Sequence, residues 1–339
     1  MPEQVHIFSE FEDPERIQYI NKIAARQPGA LKTVRRGNLF PLWFAEKELL
    51  RKIATEADNS HLQKLTTRQL QSPLLGLEYD PVGTIGKGRA RRGETVKPFW
   101  EIKPDPTQLA KNVLNRDQQQ CVLTKYGEAG VEAAHIVPSK LHRAPQGFLW
   151  LMLSEYWPLK SKAWSAAILR TGWTDNCFDT ERLTNMITLN RLIHWHWENC
   201  HCAFYPIRVS GDKKSIDLAF HWLPSAEGKK ASDWVPLDQN PFGNTPRETW
   251  RTNVAAFNVE TRELISSGDI FTITTTDPVN LPLPSMELLE MLWHLKRIAA
   301  MRGEDDAEGE EDGGNGGDER DKVDEEESDN FFLVEPTHA

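Results

Sequence analysis

The chain has 339 residues, of which 39% are hydrophobic, so it can form one large domain or two small ones. It contains no apolar run of about 18 residues and begins with a polar, acidic stretch, which argues against a transmembrane helix and a signal peptide. Its four cysteines, at positions 121, 177, 200 and 202, form neither a CxxC pair nor a disulfide framework, so we expect an intracellular location, in the nucleus or the cytoplasm.

The negative charge is concentrated at the end of the chain. Residues 304–339 contain 16 acidic and two basic residues, a net −14, whereas the whole chain carries −10, so residues 1–303 carry a net +4. This acidic tail has few apolar residues and is predicted to be disordered. A second interpretation is that the tail competes with nucleic acid for the mildly basic body of the protein.

The N-terminal part is predicted to be helical over residues 14–70, where Leu49, Leu50, Ile53 and Ala54 recur at helical spacing. Residues 72–100 are rich in glycine and proline and predict a loop, which carries a short basic cluster at 87–92. The GTIGKG motif in this loop is too short for a phosphate-binding P-loop, and Gly88 follows its lysine where serine or threonine is needed.

Two short strands are predicted next, Cys121–Leu123 and Val131–Val137, paired with each other through a glycine-containing turn. His135 lies near the end of the second strand, and Pro138 ends the pairing. Residues 148–170 are aromatic and predict one or two helices broken at Pro158.

The segment LTNMITLNRLIHWHWENC, residues 183–200, predicts a strand followed by a helix. Asn185 opens the apolar strand Met186–Leu189, and Asn190 is a good N-cap for the helix. On that helix His194 and Glu198 are four residues apart and share a face.

The remaining elements of the body are a hairpin over residues 203–223, with its turn at SGDKK, and a helix over 284–301 that Ser285 can cap. Most of the tryptophans are expected to fill the core. His196 is expected to pack or lie at the surface, and Cys121 to be a small buried hydrophobic residue.

Residues His135, Asn185, His194 and Glu198 suit metal-assisted phosphodiester cleavage. A neutral imidazole can take a proton from water. An amide can fix the orientation of a loop or an imidazole, and a helical histidine with a carboxylate one turn later can hold a divalent cation against a phosphate.

These motifs resemble the HNH endonuclease family, also called ββα-metal or His-metal finger nucleases, and in particular the HNH-domain proteins of filamentous fungi. The resemblance rests on CVLT at 121–124, EAAHIVP around His135 and NMITLNRLIH from Asn185 to His194, and it covers residues 116–207. It implies that His135 is the general base, that Asn185 holds the base and the loop between the strands, and that His194, with Glu198, binds a divalent metal.

Three features depart from the family pattern. Many members carry Asp, Glu or His immediately before the base as a further metal ligand, and this chain has Ala134. The spacing between His135 and Asn185 is longer than in a minimal HNH unit, because the aromatic segment 148–170 is inserted there. The paired CxxC motifs that bind zinc in some HNH domains are missing.

The sequence therefore predicts an α+β protein: an N-terminal helical region with a basic loop (1–115), a ββα-metal HNH domain (116–207), a C-terminal hairpin and helices on the core (208–303) and the acidic tail (304–339). The predicted function is metal-dependent hydrolysis of nucleic acid, DNA before RNA, with Mg²⁺ as the expected cofactor and Mn²⁺ or Zn²⁺ as alternatives. One alternative, favoured by Ala134, is a catalytically inactive HNH module that binds nucleic acid or protein. Another is a zinc-stabilised interaction domain built on Cys200, His201 and Cys202.

Overall fold

The computed structural model describes residues 7–26, 33–55, 106–127, 130–138, 153–168, 179–224, 228–237 and 254–303. All of these residues belong to a single compact unit. No helix within these ranges is both long enough and apolar enough to cross a membrane. The predicted loop at 72–100 and the acidic tail lie outside the described residues.

The fold combines helices and strands, which confirms the α+β class. The helices are α1 (Pro14–Arg26), α2 (Arg36–Phe44), α3 (Lys47–Thr55), α4 (Pro106–Arg116), α5 (Ser161–Ile168), α6 (Arg191–Glu198) and α7 (Met286–Arg302). The strands are β1 (Thr33–Arg35), β2 (Val131–His135), β3 (Met186–Asn190), β4 (Cys202–Val209), β5 (Ser215–Trp222), β6 (Trp234–Pro236), β7 (Phe257–Asn258), β8 (Glu263–Leu264) and β9 (Ile270–Thr274).

Within the described residues, the strands form four small antiparallel sheets: β1–β6, β2–β3, β4–β5–β9 and β7–β8. The predicted hairpin is confirmed as β4 and β5, and β9 adds a third strand along β5. Helix α7 packs against β4, α2 and α5, and it supplies a large share of the core. Ser285 caps it as predicted, since its Oγ accepts a hydrogen bond from the backbone N–H of Leu288 at 3.3 Å.

The sequence analysis predicts helix over residues 14–70, but this part of the chain also contains a strand. Strand β1 lies between α1 and α2 and pairs with β6. Val34 at its centre is fully buried. Since its partner strand begins at Trp234, the pairing is non-local, and helical periodicity in the flanking segments could not reveal it.

The predicted pairing of Cys121–Leu123 with the strand of His135 is wrong. Residues 121–126 form a turn in which the backbone N–H of Cys121 donates to the carbonyl of Tyr126 at 2.8 Å. Lys125 adopts a positive φ of 57° within this turn, so the segment cannot extend into a strand. Instead β2 pairs with β3, in a register that places His135 opposite Met186.

The aromatic segment is helical on both sides of Pro158, as predicted. Residues 153–156 are helical, residues 158–160 form a turn, and α5 follows from Ser161. Trp157 and Trp164 are buried with their rings 5.8 Å apart, which supports the expectation that tryptophans fill the core.

Candidate active site

Strands β2 and β3 and helix α6 form a compact ββα unit. The helix begins beside the start of β2, where the N–H of Arg191 donates to the carbonyl of Gly130 at 3.1 Å. It ends beside the end of β2, where the indole N–H of Trp197 donates to the carbonyl of His135 at 3.0 Å. Helix and strand therefore run side by side in the same direction, with His135 close to the C-terminal turn of the helix.

The N-cap of α6 is the one predicted from the sequence. Asn190 accepts a hydrogen bond at its side-chain oxygen from the N–H of Ile193 at 2.8 Å. At the other end, the buried ammonium group of Lys296 donates to the carbonyl of Trp197 and lies 4.0 Å from the centre of its indole ring. These contacts at both ends fix α6 against the strands and the core.

His135 is the last residue of β2, and its side chain is 26% exposed. Its Nε2 lies 3.1 Å from Oε1 of Glu181, which precedes the short 3₁₀ turn Leu183–Asn185. The imidazole therefore reaches solvent and is held at one nitrogen by a carboxylate, unlike a histidine sealed in an apolar core.

Asn185 is fully buried and acts on the backbone around His135. Its amide nitrogen donates to the carbonyls of Val137, at 3.0 Å, and Thr180, at 2.9 Å, and its oxygen accepts from the N–H of Val137 at 2.8 Å. This one side chain connects the chain just after His135 to the chain just before Glu181.

His194 lies on α6 with its side chain 19% exposed and a glutamate near each ring nitrogen. Nδ1 is 2.8 Å from Oε2 of Glu132, and Nε2 is 3.4 Å from Oε1 of Glu198. Glu132 also accepts a hydrogen bond from Nε of Arg191 at 2.8 Å. The structure therefore brings together His194 and Glu198, two of the predicted site residues, and adds Glu132.

The position before His135 does not supply a ligand. Ala134 is completely buried and pairs with Ile187. Because side chains alternate along a strand, Glu132 lies on the same face of β2 as Ala134, toward α6, whereas His135 lies on the other face. A carboxylate is thus present on the helix-facing side of the strand, two residues earlier than the family pattern places it.

The donor set at His194 fits a hydrated divalent cation with few protein ligands. Nε2 of His194 and Oε1 of Glu198 lie 3.4 Å apart. Neighbouring ligands of a small divalent cation are typically about 3 Å apart, so these two side chains would need to shift only slightly to share one. Within the described ranges, no group of three or more His, Cys, Asp or Glu side chains is arranged to hold a metal ion. Water and a substrate phosphate would have to complete the coordination.

The alternative zinc cluster was predicted around Cys200, His201 and Cys202. Cys200 and Cys202 are buried thiols in the structure, and Cys177 lies outside the described residues. His201 faces His196, with their Nδ1 atoms 3.1 Å apart. His196 is buried and also contacts the ring of Trp222, consistent with the expected packing role.

Sequence reasoning missed Glu132 and Glu181. For Glu132 a signal existed, since a residue two positions before Ala134 in a strand shares its face. For Glu181 the sequence offers no comparable signal, because Glu181 reaches His135 only through the fold of a segment that follows the inserted aromatic helices.

Comparison with known protein families finds a match within the chain. The model that describes HNH endonucleases matches residues 121–205, a segment that contains β2, β3, α6 and the four predicted site residues. No curated protein and no solved structure shows significant similarity to the chain. The match agrees with the resemblance carried by the motifs around His135 and from Asn185 to His194. Residues 121–205 are therefore a domain of the HNH endonuclease family.

Proposed function

We propose that this protein is a metal-dependent endonuclease that hydrolyses phosphodiester bonds of nucleic acid, with DNA as the preferred substrate. The observation that carries the proposal is the arrangement of two partly exposed imidazoles on one ββα unit within an HNH domain. His135 ends the strand β2, and His194 lies on the helix that runs beside it.

His135 acts as the general base in this proposal. A water oxygen forms a bond to phosphorus, the ester P–O bond breaks, and the water proton passes to a ring nitrogen of His135. The departing oxygen takes a proton from solvent, and the imidazolium returns its proton to solvent. Asn185 keeps the strand end and the Glu181 segment in place through its three backbone hydrogen bonds.

His194 and Glu198 would hold the divalent cation, Mg²⁺ being favoured because it keeps several waters and binds few carboxylates. A bound cation would offset the negative charge that develops on the phosphate and the departing oxygen. The local charge also supports a need for a cation. Glu181 lies beside His135, and Glu132 and Glu198 lie beside His194, so each imidazole has a carboxylate next to it that would repel a phosphate in the absence of a cation.

A second candidate function is a catalytically inactive HNH module that binds nucleic acid. Two observations favour it: Ala134 is buried and cannot coordinate a metal, and no set of three protein ligands occurs among the described residues. This candidate retains the fold of the ββα unit and its contacts but performs no chemistry.

A plasmid-nicking assay separates the two functions. Supercoiled DNA and single-stranded RNA are incubated with the full chain in Mg²⁺, in Mn²⁺ or in a chelator, and the His135→Ala variant, purified in the same way, controls for contaminating nucleases. Cation-dependent nicking by the wild type alone supports the enzyme. Binding of DNA at low salt by both proteins, without cleavage under any cation, supports the inactive module.

A further inference from the structure

The pair of Glu181 and His135 stands apart from ordinary surface ion pairs. Exposed pairs between long side chains contribute little, because two flexible chains must be ordered to form them. Here both side chains are only about one-third exposed or less, at 32% for Glu181 and 26% for His135. The carboxylate oxygen that faces Nε2, Oε1 of Glu181, also accepts a hydrogen bond from the hydroxyl of the buried Thr180 at 3.4 Å.

The backbone on both sides of this pair is fixed by Asn185. The carbonyl of Thr180, immediately before Glu181, accepts hydrogen bonds from Nδ2 of Asn185 and from the N–H of Arg182, at 2.9 and 3.0 Å. Val137, two residues after His135, is bonded to Asn185 through both its N–H and its carbonyl. A single buried amide therefore sets the distance between the carboxylate and the imidazole.

A carboxylate beside Nε2 determines where a neutral imidazole carries its proton. The carboxylate accepts a hydrogen bond, so the tautomer with its proton on Nε2 is stabilised. The lone pair is then on Nδ1, which has no hydrogen-bond partner among the residues that the structure describes. After Nδ1 has accepted a proton, the same carboxylate stabilises the resulting cation.

From this geometry we infer that Glu181 is a positioning residue: it holds the proton of His135 on Nε2 and so makes Nδ1 the nitrogen that takes the proton from the attacking water. The inference rests on the proposed function for its catalytic meaning. Its structural content, the tautomer and the orientation of the ring, holds for the protein whether or not it cleaves nucleic acid.

The tautomer is measured directly by nitrogen NMR of the histidine-¹⁵N-labelled full chain, at a pH where the imidazole is neutral. The His135 signals are assigned by their loss in His135→Ala. We expect a wild-type ring with a protonated Nε2 and an unprotonated Nδ1 at their limiting shifts. In Glu181→Ala both shifts should move toward the average of a tautomer mixture. Asp179→Asn, a change in the same segment at a carboxylate that pairs with Arg182, should leave them unchanged.

Cleavage kinetics provide the second readout. A general base typically raises the reaction rate by about 10²–10⁴-fold. The loss of its orientation in Glu181→Ala should therefore lower kcat by roughly 10-fold or more. KM for DNA should change less than about two-fold, because Glu181 acts through His135. Glu181→Asp, which keeps the carboxylate, should recover part of the loss.

The outcomes distinguish this inference from the proposed function. A wild-type ring protonated on Nδ1, or identical ring signals in wild type and Glu181→Ala, would overturn the inference even if the protein cleaves DNA. If Glu181→Ala changes the ring signals as expected but no cation supports cleavage by the wild type, the positioning of His135 stands and the nuclease proposal fails.

Discussion

Oε2 of Glu132 lies 2.8 Å from Nδ1 of His194, and this contact fixes the orientation of the imidazole that faces Glu198 with its other nitrogen. Carboxylates in this position orient metal-bound histidines, and their loss costs about 10- to 100-fold in metal affinity or activity. We therefore expect Glu132→Gln to weaken Mn²⁺ binding by roughly 10-fold or more in a calorimetric titration of the DNA-free protein.

Glu48→Gln is a suitable control for this experiment. Glu48 is an exposed carboxylate on α3 that pairs with Arg51, so its neutralisation removes one negative charge away from the site. Its Mn²⁺ affinity should equal that of the wild type. Equal affinities for all three proteins would mean that His194 does not depend on Glu132 for metal binding.

Asn185 should be important for stability as well as for the site. Asn185→Ala removes three buried hydrogen bonds. Two of them join the Asn185 side chain to the N–H and the carbonyl of Val137, and the third joins it to the carbonyl of Thr180. At about 1 kcal/mol for each lost bond, the free energy of unfolding should fall by roughly 3 kcal/mol, as measured by urea denaturation. Asn199→Ala, which removes one exposed bond to the carbonyl of Trp195, should cost less than about 0.5 kcal/mol. If the two variants lose the same stability, Asn185 does not carry this structural role.

The elements that could be predicted from the sequence are those specified by local patterns. The N-cap at Asn190, the cap at Ser285 and the hairpin of β4 and β5 each depend on residues that are close in the sequence. The motifs around His135 and His194 also identified the family, because the spacing between Asn185 and His194 is a local property of one strand and one helix.

The parts that could not be predicted depend on distant pairings. The sequence analysis predicts Cys121–Leu123 as the partner of β2, because that segment is nearby and apolar, but β3 pairs with all five residues of β2 in an unbroken register. Val122 nevertheless contacts this sheet, through a hydrogen bond from its N–H to the carbonyl of Thr188 at 2.9 Å. The adjacent segment therefore supports the sheet at one point without becoming a strand.

Arg297 connects the C-terminal helix to the N-terminal segment and should be one of the most sensitive positions in the body. Its buried guanidinium donates to the carbonyl of Ile7 and to both carboxylate oxygens of Glu10, and it lies 4.1 Å from the ring centre of Phe44. Since removal of one partner of a buried ion pair leaves the other uncompensated, Arg297→Met should lower the free energy of unfolding by about 3 kcal/mol or more in urea denaturation.

Arg51→Met provides the matched control for Arg297. Arg51 also pairs with a glutamate, Glu48, but both side chains are nearly half exposed. Exposed pairs of this kind contribute up to about 1 kcal/mol, so this variant should remain close to the wild type in stability. A loss of stability at Arg297 no larger than at Arg51 would contradict the role assigned to the buried pair.

His294 should make the stability of the protein depend on pH below neutrality. Burial lowers the pKa of His294 well below its ordinary value of 6.5, and the nearby charges of Arg297, Lys160 and Arg16 lower this pKa further. The folded protein therefore keeps His294 neutral at a pH where the unfolded chain has protonated it. Because the unfolded state binds more protons, the free energy of unfolding should decrease as the pH falls below about 6.5, by up to roughly 1.4 kcal/mol per pH unit.

Urea denaturation of the wild type and of His294→Gln between about pH 5 and pH 8 tests this linkage. Glutamine cannot take up a proton in this range, but its side-chain oxygen can accept the hydrogen bond that Arg297 donates to Nδ1 of His294 at 3.1 Å. The variant should be less stable near pH 8, where the packing of the ring against Trp157 and Trp164 is lost. As the pH falls, its stability should decline less steeply than that of the wild type, because unfolding of the variant takes up about one proton fewer. If the two stability curves run parallel through this range, the acid sensitivity arises from other groups and His294 is not its source.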